Sequence, residues 1–204
     1  MNGFLCHLID HDTFGFSSGV RTWGPSVDGS HLSVTALMRE MAKYSELTTF
    51  LCGNSMGCMI LKTYLLRNPD LRIAGVIFIV PFFYVPESIE DRDTKVAAAG
   101  MIGPLLEDFV SNTQIGPSHL SKNMAFTAKL LIARKTSPFL TPNVVNRFAQ
   151  SFVYIRENAQ RFTYPFMTLI GLKDVVVCNY RAREIFAKAG SKEKELVEIE
   201  DGRH

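Results

Sequence analysis

The stretch TTFLCGNSMGCMILKTYLLRNP, residues 48–69, decides the fold. Its first five residues are β-branched or apolar, the composition of a strand. Apolar side chains then recur at Cys58, Leu61, Tyr64 and Leu65, the spacing of one helix face, and Asn68-Pro69 is a stop signal. Between strand and helix stand Gly53-Asn54-Ser55-Met56-Gly57, a G-x-S-x-G. Small residues at 53 and 57 would let the backbone turn sharply enough to push the Ser55 hydroxyl outward. The backbone N–H of Met56, at the helix start, would point at any anion forming beside it. Taken alone, the pentapeptide is also a plain tight turn. Its chemistry depends on what else the sheet brings to it.

The flanking sequence repeats the strand–helix alternation. FLCHLID (4–10) is a short apolar run expected as a buried strand, followed by the Gly- and Ser-rich loop HDTFGFSSG (11–19). Val34, Leu37, Met38 and Met41 mark a helix over 30–44, with Ser30 or Ser33 as its cap. AGVIFIV (74–80), FMTLIG (166–171) and ELVEIE (195–200) are further strands, and a helix through Arg183, Ile185 and Phe186 stops at Gly190. This alternation predicts βαβ units and a parallel sheet. Residues 84–164 contain no convincing strand but several helical patterns. One opens on Thr141-Pro142, with Val145, Phe148, Ala149 and Phe152 on one face. The expected organisation is a core of residues 1–83 and 165–204, with 84–164 inserted as a helical cap or lid.

The bulk properties exclude several classes. The 204 residues are 47% apolar, enough for one sizeable core, and 22 basic against 20 acidic residues give a net charge of only +2. No basic stripe points to nucleic acid or an anionic membrane. The longest apolar run, residues 73–85, contains Pro81 and is too short to span a bilayer. With no secretory leader at Met1, an intracellular, soluble protein is expected, its compartment unspecified. Cys6, Cys52, Cys58 and Cys178 form no CxxC pair or ligand set, so buried reduced thiols and no metal are expected. His7, His11, His31 and His119 read as structural or surface histidines.

A serine needs a base to remove its proton, and the base needs an acid to orient it. Asp174 follows the 166–171 strand in GLKDVVV, and His204 follows the 195–200 strand in DGRH. Both therefore fall at carboxyl ends of strands, as Ser55 does, and ligands of open α/β sheets bind at that edge. Asp174 alone would equally serve as a loop carboxylate or helix cap.

Serine, acid, histidine is the chain order of the α/β-hydrolases. The chain resembles that superfamily, and within it the monoacylglycerol lipase and lysophospholipase-like serine hydrolases. The resemblance is carried by IDHDTFGFSSG (9–19), GNSMGC (53–58), PFMTLIGLKDVVV (165–177) and DGRH (201–204). It implies an α/β-hydrolase fold, mostly parallel with helices on both faces, and a Ser55–His204–Asp174 triad. It also implies Met56 as an oxyanion donor, Gly53 and Gly57 as the nucleophile turn, no cofactor, and an acyl-ester or lipid substrate. The phenylalanines and methionines of 84–164 would then line an acyl pocket, although an amphipathic cap would use the same residues.

Departures from the family pattern carry expectations of their own. Thr13 stands where the D-x-x-G-x-G-x-S loop has its first glycine. No counterpart of the HG-type oxyanion loop precedes FLCHLID, and no helix follows His204. In this fold the strand preceding FLCHLID lies between it and TTFLC. Either a separate polypeptide fills that place, or FLCHLID pairs directly with TTFLC, or the sequence is a fragment. The alternative function is accordingly a catalytically impaired hydrolase-fold subunit with an interaction role in a larger assembly.

Overall fold

The computed structural model describes residues 3–19, 27–86, 92–102, 111–112, 115–133 and 139–204. In chain order the elements are α1 (Val27–Met41), β1 (Phe50–Asn54), α2 (Met56–Arg67), β2 (Gly75–Ile79), α3 (Arg92–Ile102) and β3 (Ser111–Asn112). They continue with α4 (Pro117–Leu120), α5 (Met124–Ala133), β4 (Phe139–Leu140), α6 (Pro142–Asn158), β5 (Phe166–Gly171), α7 (Asn179–Lys188) and β6 (Lys194–Ile199). Four strands form one sheet in the order β1-β2-β5-β6, and every pairing is parallel. Parallel pairing demands crossovers, and helices supply them between β1 and β2, β2 and β5, and β5 and β6.

Each strand expected from residue 48 onward forms close to its predicted bounds. The 84–164 region holds helices, as expected, together with one pair of two-residue antiparallel strands, β3 with β4, that the pattern did not show. Thr141 caps α6 through its side chain, which accepts from Val144 N–H, and Pro142 occupies the first turn. The buried face of α6 is Val144, Phe148, Ser151, Phe152 and Ile155, so it centres on Val144 and not on Val145 and Ala149. That face shares a core with Leu61 and Leu65 of α2.

Three expectations are corrected. Residues 4–10 form no strand: Phe4 is 82% and Leu8 94% exposed, and only Ile9 reaches the core. The segment does not pair with β1, whose ladder among the described residues is to β2 alone. Without a neighbouring ladder an isolated apolar run has no backbone partners to hold it extended. The burial expected of cysteines inside apolar stretches fails at Cys6 and Cys52, which are exposed because one lies in that unpaired run and the other on the open face of β1. Cys58 and Cys178 are buried, and none of the four cysteines forms a disulfide among the described residues. Finally, α1 begins at Val27, so Ser30 and Ser33 lie inside it and cap nothing; Ser33 bonds back to Gly29 O and Ser30 is buried. His31 likewise falls within α1, its Nε2 meeting Thr63 Oγ1 at 3.0 Å. Thr13 takes the backbone a glycine would take, at φ 70°, and its N–H closes the 11–19 loop on Ser18 O. For a β-branched residue that conformation is strained.

The core has one unusual occupant. Helix α2 is buried from Cys58 to Leu66 without interruption, and this includes Lys62, fully inaccessible. Among the described residues its Nζ has no hydrogen-bond partner, and it lies within 3.8–5.8 Å of the ring centroids of Phe78, Phe83, Phe162 and Phe166. Ring faces attract an ammonium, which offsets part of the lost hydration. Burial nevertheless dominates and lowers the lysine pKa to about 7; Cys58 opposes the shift and Lys194 adds to it.

The sign of the resulting pH dependence is definite. A folded-state pKa below the ordinary lysine value of 10.5 means that the folded chain binds fewer protons between pH 7 and 10. Stability therefore rises with pH across that window, and below pH 7 the full penalty applies. Lys62→Met, which keeps the stem and removes the charge, is expected to raise unfolding free energy by about 2–5 kcal/mol at pH 6. The gain should shrink toward pH 10. Urea melts of both proteins at pH 6, 8 and 10 check it; a pH-independent difference would show that the amine is not buried.

Candidate active site

Parallel strands in register end on a common edge, and here those ends carry Ser55, Asp174 and His204. Asn54 pairs with Ile79, Ile79 with Leu169, and Gly171 with Ile199, so the three residues follow the carboxyl ends of β1, β5 and β6 along one edge, with the end of β2 between the first two. The three side chains meet. Ser55 Oγ lies 2.8 Å from His204 Nε2, and His204 Nδ1 lies 2.9 Å from Asp174 Oδ2.

The protonation pattern follows from what each group can do. An ionised carboxylate only accepts, so Nδ1 carries the proton. In the neutral ring Nε2 is then an acceptor, and the Ser55 hydroxyl donates to it. The Asp174 side chain is 0% exposed and that of His204 7%. Desolvation on that scale is costly unless the carboxylate is bonded on both oxygens. It is: Oδ1 accepts from Val176 N–H and Val177 N–H, while Oδ2 faces the imidazole. Asp174 is thus both the loop-shaping carboxylate and the partner of His204. Val176 and Val177, whose amides bind Asp174, pack with Val80 and Leu120 into a small apolar cluster.

Ser55 is held in an uncommon conformation, φ 51° and ψ −118°, between β1 and α2. Its N–H donates to Ile79 O, and its carbonyl accepts from Cys58 N–H and Phe82 N–H. Met56 opens α2, so its N–H is among those without an intrahelical acceptor. The two glycines of the turn are not equivalent. A Cβ on Gly53 would lie 2.8 Å from Cys58 N and 2.9 Å from Cys58 Cα, so only glycine lets strand and helix touch there. A Cβ on Gly57 would meet no atom within 4 Å. The expectation that both positions need a small residue therefore holds for Gly53 and is corrected for Gly57, which faces open space.

Beside the site, Arg203 joins residues of α4 and α5 around a cleft of about 500 Å³. Its guanidinium donates to Ser118 O, tying the segment that carries His204 to α4. Among the described residues no cluster of three His, Cys, Asp or Glu side chains could hold a metal ion. No helix among them is long and apolar enough to cross a membrane.

A parallel sheet flanked by helices, with these three residues at its carboxyl edge, is the arrangement of the α/β-hydrolase fold. The family model Hydrolase_4, described as serine aminopeptidase, S33, matches residues 1–204, and the chain belongs to that family. Among solved structures, monoacylglycerol lipase from Paleococcus ferrophilus superposes with a TM-score of 0.79 at 20% identity, over 92% of this chain and 70% of that one. A soluble variant of monoglyceride lipase from Saccharomyces cerevisiae gives 0.77 at 19% identity, over 96% and 68%. The caffeoylshikimate esterase of Arabidopsis thaliana is 24% identical over 203 residues. The chain spans 59% of that relative's length, and 51% of a second curated relative from Schizosaccharomyces pombe.

The asymmetry of the turn predicts an asymmetric response. Gly53→Ala is expected to lower unfolding free energy by about 1–3 kcal/mol, the usual cost of forcing atoms into packed backbone. Gly57→Ala should change it by less than about 0.5 kcal/mol. Thermal melts of the two variants compare them directly, and equal losses would contradict the geometry.

Proposed function

We propose that the protein is a serine hydrolase of carboxylic esters, with Ser55 as nucleophile, His204 as general base and acid, and Asp174 as the orienting acid. The observation that carries this reading is the unbroken hydrogen-bond chain from Ser55 Oγ through both imidazole nitrogens to Asp174. Ser55 Oγ attacks the acyl carbon as its proton passes to His204 Nε2, and the carbonyl π electrons move to oxygen. The Met56 N–H stabilises that oxyanion. Collapse of the intermediate expels the alcohol, which takes the proton from His204. Water, deprotonated by the same nitrogen, then releases the acid and restores Ser55. Asp174 keeps the imidazole in the tautomer that accepts at Nε2, and no cofactor enters any step.

Acylglycerols and lysophospholipids are the proposed substrate class; the names of the two structural neighbours above support the acylglycerols. Residues 84–164 are read as the cap over the site, with α6 joining it to the core. A fluorophosphonate, which phosphorylates activated serines, tests the assignment. Labelling is expected at Ser55 and abolished in Ser55→Ala. Asp174→Asn should lower ester hydrolysis by about 10⁴-fold, because the imidazole loses its orienting acceptor. Folded protein that takes up no probe would overturn the reading.

A second reading, a hydrolase-fold subunit in a larger assembly, is favoured by the edge of β1, which has no strand beside it among the described residues. An added strand supplied by another chain would occupy that edge. This reading requires rapid hydrogen exchange by the outward amides of 50–54 in the isolated chain, and slow exchange there would remove it.

A further inference from the structure

The chain segment that carries His204 is held against the loop that carries Asp174 by a close backbone contact, beside the exposed Lys173–Asp201 ion pair and the His204–Asp174 bond. Gly171, the last residue of β5, has no side chain to keep Gly202 away: a Cβ there would lie 2.5 Å from Gly202 O and 2.6 Å from Arg203 O. The reverse also holds, since a Cβ on Gly202 would lie 2.9 Å from Gly171 Cα and 3.0 Å from Ile199 Cβ. The contact is stitched by Leu172 N–H to Ile199 O, Lys173 N–H to Gly202 O, and Gly202 N–H to Ile199 O, each 2.9–3.0 Å. From the other side, Asn179 Nδ2 donates to Gly171 O at 2.7 Å, and Asp174 N–H donates to the same carbonyl at 3.1 Å. Gly171 therefore touches both arms of the site: the turn that ends at Asp174 begins on its carbonyl, and the segment that ends at His204 rests on its Cα.

From this geometry we infer that Gly171, Gly202 and Asn179 are positioning residues, and that the side-chain-free contact between the two glycines sets the distance from His204 to Asp174 and Ser55. The inference rests on the hydrolase reading given above. Neither glycine has a positive φ that would explain it by conformational freedom; close approach is the reason for both. A methyl group at 171 must push residues 202–204 outward, because the atoms it meets are backbone and cannot rotate aside. A misplacement on the order of 1 Å suffices to cost about a hundredfold in rate.

The test compares Gly171→Ala with Gly190→Ala, a control of equal steric severity elsewhere. A Cβ on Gly190 would lie 2.2 Å from Gln160 O, in the connection between α7 and β6. Both variants should lose stability. Gly171→Ala should also lower the fluorophosphonate labelling rate of Ser55 and kcat for a soluble ester by about a hundredfold, with KM within about threefold of wild type. Gly190→Ala should leave both rates unchanged per folded molecule. Asn179→Ala adds no bulk and keeps the test open if Gly171→Ala does not fold; its labelling rate should fall about fivefold for the lost hydrogen bond. A proton resonance far downfield, from Nδ1–H bonded to Asp174, should be present in wild type and lost in Gly171→Ala. Labelling by folded Gly171→Ala at the wild-type rate, or an equal loss in Gly190→Ala, would overturn the inference. Absence of labelling in wild type would instead overturn the hydrolase reading, and the downfield resonance then decides the positioning claim alone.

Discussion

Parallel hydrogen bonding among β1, β2, β5 and β6 is the constraint on which the rest of the molecule depends. Because the strands point the same way, their carboxyl ends form one rim, and residues separated by 149 positions in sequence become neighbours. An antiparallel sheet of the same segments would alternate ends and scatter them. Register then sets the scale, since each strand step moves a following residue by about 3.3 Å and a one-residue slip would exceed any hydrogen bond. The apolar content of the strands supplies the energy, through burial against α2 and the phenylalanines of β2 and β5.

The same packing creates the electrostatic conditions at the rim. Asp174 loses all contact with water, which would be costly for a lone carboxylate, yet three donors converge on its two oxygens. The two amides on Oδ1 come from its own loop, so this part of its solvation is local and survives any motion of His204. Lys62 is the opposite case. It is equally buried, has rings in place of hydrogen-bond partners, and lies one helical turn beyond Cys58, which packs beneath the serine turn. One buried charge is satisfied and belongs to the site; the other is unsatisfied and weighs on the fold.

Much of this was legible in the sequence because local patterns and the final structure agree over residues 48–83 and 165–204. Continuous apolar or β-branched runs and period-3.6 signals mark β1, α2, β2, β5, α7 and β6, and the placement of Ser55, Asp174 and His204 after strands brings them to one edge. The failures share a cause. FLCHLID has a strand's composition, but a strand exists only where a neighbour supplies its ladder, and sequence composition does not reveal the neighbour. Ser30 and Ser33 look like caps because their side chains can cap, but a cap is defined by where the helix begins, and α1 begins earlier at Val27. Gly57 reads as sterically required only because it sits in a motif; the space around it is a tertiary property. Gly171 and Gly202 carried no signal at all, since close approach of two distant backbones leaves no periodicity.

Strain in the backbone collects where the rim is built. Besides Thr13, the described non-glycine residues with positive φ are Ser55 at 51° and Val80 at 43°, one at the end of β1 and the other at the end of β2. These adjacent turns brace each other: Ser55 N–H donates to Ile79 O, and Phe82 N–H donates back to Ser55 O. Val80 N–H reaches a third strand through Leu169 O. A conformation that costs about 1–3 kcal/mol at each residue persists because neighbouring strands determine it twice over, once through the ladder and once through the exchanged bonds. The serine hydroxyl is thereby fixed by three strands and not by its own loop. That is why a turn of five residues can aim a hydroxyl at an imidazole delivered from the far side of the sheet.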